Sequence, residues 1–168
     1  MLKLLTAPNK ILKTPAEDWQ FSNEQDRIDA SNIEQEMISV MRAEHGRGLA
    51  AQQVGLLKRV FVLYIEETKQ TLAMFNPKIL NASEFMQVGE EGCLSFPDLW
   101  LEVKRPSSIE AEYFDTQGNK CIITLTGIDA RCFCHELDHL NGVCFTDNIS
   151  PLKVAMAIKK QRKRQRKK

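Results

Sequence analysis

Apolar and polar positions divide the chain into segments of different period. From about Asn23 to Glu44 the apolar residues Ile28, Ile33, Met37, Ile38 and Met41 recur at helical spacing with no Gly or Pro between them, so a long amphipathic helix is expected there. Before it, Leu4 to Trp19 has little periodicity and two prolines, Pro8 and Pro15. It reads as an extended segment pinned to the core by Ile11, Leu12 and Trp19. After it, β-branched and aromatic residues predict strands at Arg59–Ile65, Thr71–Asn76, Lys78–Asn81, Leu99–Lys104, Ile109–Asp115 and Lys120–Thr126. Asp115-Thr116-Gln117-Gly118-Asn119 has the composition of a hairpin turn. A second helix over Ala130–Leu140 is expected to be capped by Asp129 and ended by Asn141-Gly142, and a third begins at Ser150-Pro151. The expected class is therefore α+β, with antiparallel strands.

Two segments fit none of these periods. Gly46-Arg47-Gly48-Leu49-Ala50-Ala51-Gln52-Gln53-Val54-Gly55 is glycine-rich and small, reading either as a turn into a strand or as backbone that approaches something closely; Gly46 should stop the first helix. Gly89 to Pro97 sets Cys93 among glycines before a proline, displayed on irregular backbone. The first has no Lys-Ser/Thr pair after its glycines, which argues against a phosphate loop.

The 168 residues, 43% hydrophobic with eight Phe and two Trp, suit one domain. Apolar runs such as Val60–Ile65 are too short to cross a bilayer, and no signal peptide is evident at the start, so a cytoplasmic protein is expected. Five cysteines argue against a disulfide framework and for mostly buried thiols. The net charge of +1 conceals an asymmetry, because residues 159–168 hold eight basic residues and no acid, leaving a body of −7. Residues 1–158 are read as one domain and 159–168 as a basic tail suited to phosphate-rich surfaces.

Candidate chemistry lies in the second helix, at His135-Glu136-Leu137-Asp138-His139. On a helix His135 and His139 stand one turn apart on one face, where two imidazoles can hold one metal ion with Glu136 beside them. A third ligand is needed, and with His45 the only further histidine, a cysteine completes the set more easily.

The sequence resembles the peptide deformylases, which remove the N-formyl group from newly made bacterial-type polypeptides. Three motifs carry the resemblance in the family's order. Gly46–Gln53 matches G-φ-G-L-A-A-x-Q, Glu91–Ser95 matches E-G-C-L-S, and His135–His139 matches H-E-x-D-H. The resemblance implies antiparallel sheets around a central metal-binding helix, with an N-terminal and a C-terminal helix. It also implies Cys93, His135 and His139 as ligands of one divalent ion, expected to be Fe(II) with Zn(II) the alternative, and Glu136 as the general acid/base. A thiolate and two imidazoles leave a fourth position open, where a divalent metal lowers the pKa of bound water. The Gln53 amide and the Leu94 backbone N–H are implied as oxyanion donors. Gly46, Arg47, Gly48, Ile128, Cys132 and Phe133 are implied to lie along the substrate. Glu91, Asp138 and Arg105 are expected to orient the ligands. Two residues depart from the family pattern: Arg47 stands where an aliphatic residue is usual, which puts peptide preference in question, and Cys134 replaces a common Gln, suggesting oxidation sensitivity.

Implied partners are N-formylmethionyl nascent peptides and, through the basic tail, the ribosome near its exit tunnel. A monomer with no membrane contact is expected. The alternatives are a zinc metallopeptidase, since H-E-x-x-H is shared with those enzymes, and a non-enzymatic metal-stabilised RNA- or ribosome-binding protein.

Overall fold

The computed structural model describes residues 2–165, with side chains through residue 163. The first helix, α1, spans Glu24–Ala43. Asn23 caps it through a reciprocal box: its side chain accepts from Asp26 N–H at 3.0 Å, and the Asp26 carboxylate accepts from Asn23 N–H at 3.1 Å. The helix stops one residue earlier than the glycine predicts. His45 takes the left-handed conformation (φ 57°), donating to Arg42 O, while Gly46 N–H reaches back to Met41 O at 2.8 Å. Gly46 is thus the residue after the left-handed one. It owes its lack of a side chain to Leu94, whose Cδ1 would lie 2.7 Å from an added Cβ.

Five strands form one antiparallel sheet in the order β1 (Gly48–Ala50), β2 (Val60–Ile65), β3 (Gln70–Ala82), β6 (Ser108–Phe114) and β7 (Lys120–Thr126). The remaining two, β4 (Met86–Cys93) and β5 (Phe96–Pro106), form a separate antiparallel pair. The expected strands 71–76 and 78–81 are one element, interrupted by a register shift between Phe75 and Lys78. There Asn76 adopts a positive φ of 47°, and its amide exchanges hydrogen bonds with the Trp19 backbone at 2.7 and 2.9 Å. The segment before Cys93, expected to be irregular, is strand β4. Its glycines and glutamates are poor strand formers, and the register with β5, Gly89 opposite Val103 and Glu91 opposite Leu101, holds it extended. The turn at Asp115 forms as expected, its carboxylate accepting from the Gln117 and Asn119 backbone.

The second helix, α2, runs Gly127–Leu140 and is flanked at its start by Thr126, not Asp129. Asp129 is inside the first turn and buried, accepting from Glu66 N–H at 2.9 Å, so its oxygens serve the β2–β3 turn and not the helix's own amides. At the other end Gly142 (φ 73°) closes the helix, with Val143 N–H bonded to Asp138 O at 2.9 Å. The third helix, α3, covers Pro151–Gln165 and passes without a break through the 158/159 boundary. Residues 166–168 of the basic tail lie outside the described residues.

Burial explains why β2 reads as an unbroken apolar run. Phe61, Leu63 and Ile65 pack with Met74, Ile109 and Leu125 under α2, whereas Val60 and Val62 face Ala30, Met37 and Met41 of α1. A third cluster joins Cys93, Leu99, Leu101 and Val103 of the β4–β5 pair to Phe145 and to Val154, Ala157 and Ile158, fixing α3 on this hairpin. The N-terminal segment, expected to be extended, contains a short 3-10 helix at Lys10–Lys13 that buries Leu12, and it runs over the core on either side. Leu5 N–H donates to Gln53 O, Ala7 N–H to Ser95 O and Ala16 N–H to Leu140 O, at 2.7 to 2.9 Å. Among the described residues no helix is long and apolar enough to cross a membrane.

The two left-handed glycines of α2 should respond differently to a side chain. An added Cβ at Gly142 would lie 2.7 Å from Lys13 O, whereas at Gly127 (φ 56°) nothing lies within 4 Å. Gly127→Ala is expected to cost about 1 to 2 kcal/mol from backbone strain alone, and Gly142→Ala clearly more than that, as read from urea unfolding midpoints.

Candidate metal centre

Cys93 ends β4, and His135 and His139 lie one turn apart on α2. The two elements are pressed together so that ligand atoms of all three residues lie within 4.8 Å of one another. Cys93 Sγ is 3.2 Å from His139 Nε2. His135 Nδ1 donates to Glu91 Oε2 at 3.0 Å, which fixes its tautomer and leaves Nε2 for the cluster. One sulfur and two ring nitrogens converging from a strand end and a helix fit a tetrahedral divalent ion with one open position.

Electrostatics agree with that fit. Burial and the nearby His135 and Arg105 push the proton affinity of His139 well down, as a neutral ligand requires. For His135, burial works against a charge, but hydrogen bonds to Cys93 and Glu91 prevail and raise its pKa to about 10. A divalent cation bound there would have to displace that proton.

Behind the ligands sits the Glu91 carboxylate, buried among cations. Arg105 donates to both of its oxygens, at 2.9 and 3.0 Å, and Arg131 donates to Oε1 at 2.8 Å. Burial would keep Glu91 neutral, but the hydrogen bonds from His135 and Arg105 outweigh it and hold its pKa at about 2. Arg105 also reaches Asp138 at 2.6 Å, and Arg131 binds Val103 O and Gln87 O on the two strands of the hairpin. The expected orienting residues Glu91, Asp138 and Arg105 thus form one network. Arg131, its fourth member, escaped the sequence reading, although it stands one turn before His135 on the same helix and that spacing could have revealed it.

Glu136 is buried against β1. An added Cβ at Gly48 would lie 2.8 Å from its carboxylate carbon, so Gly48 is glycine to admit this side chain. Burial raises the Glu136 pKa to about 7, with His135 acting in the opposite sense, and its Oε2 has no hydrogen-bond partner. Gln53, in the turn after β1, accepts from Ala50 N–H at 2.8 Å through Oε1. Its Nε2 points to Ser95 Oγ at 3.2 Å and Cys93 Sγ at 3.5 Å. Neighbouring Gln52, whose role sequence did not suggest, donates to His139 O at 2.5 Å and secures the end of the ligand helix.

A cavity of about 820 Å³ opens onto this cluster. It is lined by Gly46, Arg47, Gly48, Gln53, Cys93, Leu94, Ile128, Cys132, His135 and Glu136, together with Leu4 and Thr6 of the N-terminal segment and Trp100 of β5. Every residue expected at the substrate is there except Phe133, which points the other way, edge-on to Phe61 in the core. Arg47 is at the rim, with its charge already engaged: it donates to Glu66 at 3.0 Å and Asp129 at 3.2 Å and lies 5.4 Å from the Tyr64 ring centre. Cys134 is buried, and burial lifts its pKa to about 11, which favours the thiol over the thiolate.

The polypeptide deformylase family model matches residues 1–155. The chain belongs to this family. A peptide deformylase from Rhizobium meliloti (strain 1021) is 41% identical over 162 residues, covering 94% of this chain and 90% of the relative. Among solved structures, a peptide deformylase from Legionella pneumophila superposes with a TM-score of 0.87 at 33% identity, covering 99% of this chain and 96% of the other. The Synechococcus elongatus peptide deformylase in complex with actinonin gives 0.84 at 35% identity, covering 95% and 85%. Metal dependence of the deformylases accords with the Cys93, His135 and His139 cluster. Membership in the deformylases displaces both alternatives, the zinc metallopeptidase and the non-enzymatic RNA-binding protein.

The Glu91 network sets an expectation for metal affinity. Glu91→Gln removes the charged acceptor of His135 and is expected to weaken Zn(II) binding about 10- to 100-fold, measured by competition with a chromogenic chelator.

Proposed function

We propose that this chain releases formate from N-formylmethionyl peptides, with Cys93, His135 and His139 holding the divalent ion, Glu136 moving the proton, and Gln53 with the Leu94 backbone N–H receiving the oxyanion. The observation that carries this reading is the common cavity: side chains from the turn after β1, the end of β4 and α2 all open into it. When bound, a divalent cation supplies Lewis acidity at the formyl carbonyl and acidifies water.

The protein's own groups do the rest. Glu136 is confined by Gly48 on one side and keeps one oxygen free of partners, and a pKa near 7 lets it both accept and return a proton at neutral pH. It takes the proton from the attacking water and delivers it to the amine nitrogen as the C–N bond breaks. Gln53 Nε2, aimed beside Cys93, donates to the oxygen that gains charge at the tetrahedral carbon. The methionine side chain extends toward Ile128 and Cys132, which give the cavity an apolar wall. Arg47, neutralised by Glu66 and Asp129, acts chiefly on the placement of β1 and selects little by charge.

Fe(II) is proposed as the native ion; Zn(II) suits the same sulfur and nitrogen donors. Work on nascent chains argues for a cytoplasmic location, and a monomer is proposed with it. The exposed Lys153, Lys159, Lys160, Arg162 and Lys163 of α3 support a contact with ribosomal RNA, one that should weaken as salt rises. The catalytic domain is taken as residues 1–158, with the basic end of α3 as an adjunct to it.

Formate release from formyl-Met-Ala-Ser by the Fe(II), Zn(II) and Ni(II) forms tests the reading. Gln53→Ala is expected to lose about 100- to 1,000-fold in kcat. Glu136→Ala and Gly48→Ala should retain one equivalent of metal, and Glu136→Ala should release no formate above background. Actinonin should compete with the peptide, and absence of formate from all three metal forms would sink the proposal.

A further inference from the structure

Three hydrogen bonds form a clasp around the amide that faces the metal cluster. Gln53 Nε2 donates to Ser95 Oγ at 3.2 Å. The backbone oxygen of Ser95 accepts from Ala7 N–H at 2.8 Å, and two residues before Ala7 the Leu5 N–H donates to Gln53 O at 2.7 Å. Gln53 and Ser95 belong to different parts of the chain, the turn after β1 and the turn between β4 and β5, so the N-terminal segment fastens one to the other. Both side chains are held away from water, Ser95 fully buried and Gln53 1% exposed. Leu4 and Thr6, which flank Leu5, line the cavity over the cluster, so the segment that closes the clasp is also part of the cavity wall.

We infer that Ser95 is a positioning residue for the oxyanion donor and that the Leu5–Ala7 segment completes the device, a role that rests on the deformylase reading for the purpose of Gln53 and the Leu94 N–H. An amide nitrogen carries two hydrogens in one plane. Gln53 Oε1 is fixed by Ala50 N–H at 2.8 Å, and Ser95 Oγ takes one of the two hydrogens. The other is left for the side of Cys93, whose Sγ is 3.5 Å from the nitrogen. Ser95 thus settles which hydrogen meets the oxygen that gains charge. Leu94 is the residue before Ser95, so the Ala7 contact steadies the backbone of the second donor while the Leu5 contact steadies that of the first. Two N–H groups on one short segment set the separation of the two turns. A small misplacement of either donor is costly, because the charge they meet develops at one point.

The test compares Ser95→Ala and Leu5→Pro, the second of which removes a donor N–H, in the Zn(II) form with formyl-Met-Ala-Ser as substrate. Each should lower kcat about tenfold. KM and Zn(II) affinity should stay within about twofold of wild type. In a Gln53→Ala background the same substitutions should cost no more than about twofold, because the group they position is gone. A merely structural weakening would cost as much with Gln53 absent as with it present. An unchanged kcat in Ser95→Ala, or a loss in either variant that persists in the Gln53→Ala background, would overturn the inference. The side-chain amide protons of Gln53, assigned by their disappearance from the NMR spectrum of Gln53→Ala, give a readout without turnover. Ser95→Ala should move the downfield proton of the pair upfield, and an unmoved pair also overturns the clasp. If the pair moves but the wild type yields no formate, the activity reading fails and the clasp stands as what orients this amide.

Discussion

The charge balance around Glu91 is the constraint on which the site depends. A carboxylate removed from water is costly unless it is paired and hydrogen-bonded, and Glu91 satisfies both conditions through Arg105, Arg131 and His135. These partners come from two elements: Arg105 from β5, Arg131 and His135 from α2, while Glu91 itself lies on β4 and precedes Cys93 by two residues. One carboxylate therefore joins the small sheet, the helix and the orientation of a ligand ring. Removing any one partner would weaken the compensation of the buried carboxylate, and the loss would be felt in the ring orientation of His135 as well as in the fold.

Around this network, close approach of backbone does as much as charge. Gly48 admits Glu136, Gly46 admits Leu94, and Gly92 admits Trp100. Each lies on a strand or turn flanking the cavity, so the glycine-rich segments are where the chain thins to let functional side chains in. Ordinary packing supplies the rest of the frame: β2 is buried on both faces between α1 and α2, and the third apolar cluster ties α3 to the hairpin that carries Cys93.

The long helix, four of the strands and the ligand pair were legible because they follow simple periods or carry a spaced motif. The family resemblance, resting on three ordered motifs, supplied Cys93 and Gln53, which no period marks. What escaped depended on partners distant in sequence. β4 is poor in strand formers and is extended by its pairing with β5. The division of β3 into two pieces reflected the Asn76-Pro77 bulge, which is stabilised by the Trp19 backbone 57 residues earlier. Asp129 had the composition of a cap but serves Glu66 and Arg47 across the fold. Phe133, adjacent to pocket residue Cys132, turns to the core because neighbours on a helix face different directions.

The amide of Gln53 has a polarity that its surroundings dictate. A backbone N–H, which can only donate, occupies its oxygen, so its nitrogen must face the sulfur of Cys93. A glutamate of the same shape would keep the first contact and set a carboxylate oxygen against a thiolate in the second. Shape and hydrogen-bond sense are thus separately encoded at this position, and a substitution conservative in volume would reverse the sign of the group facing Cys93.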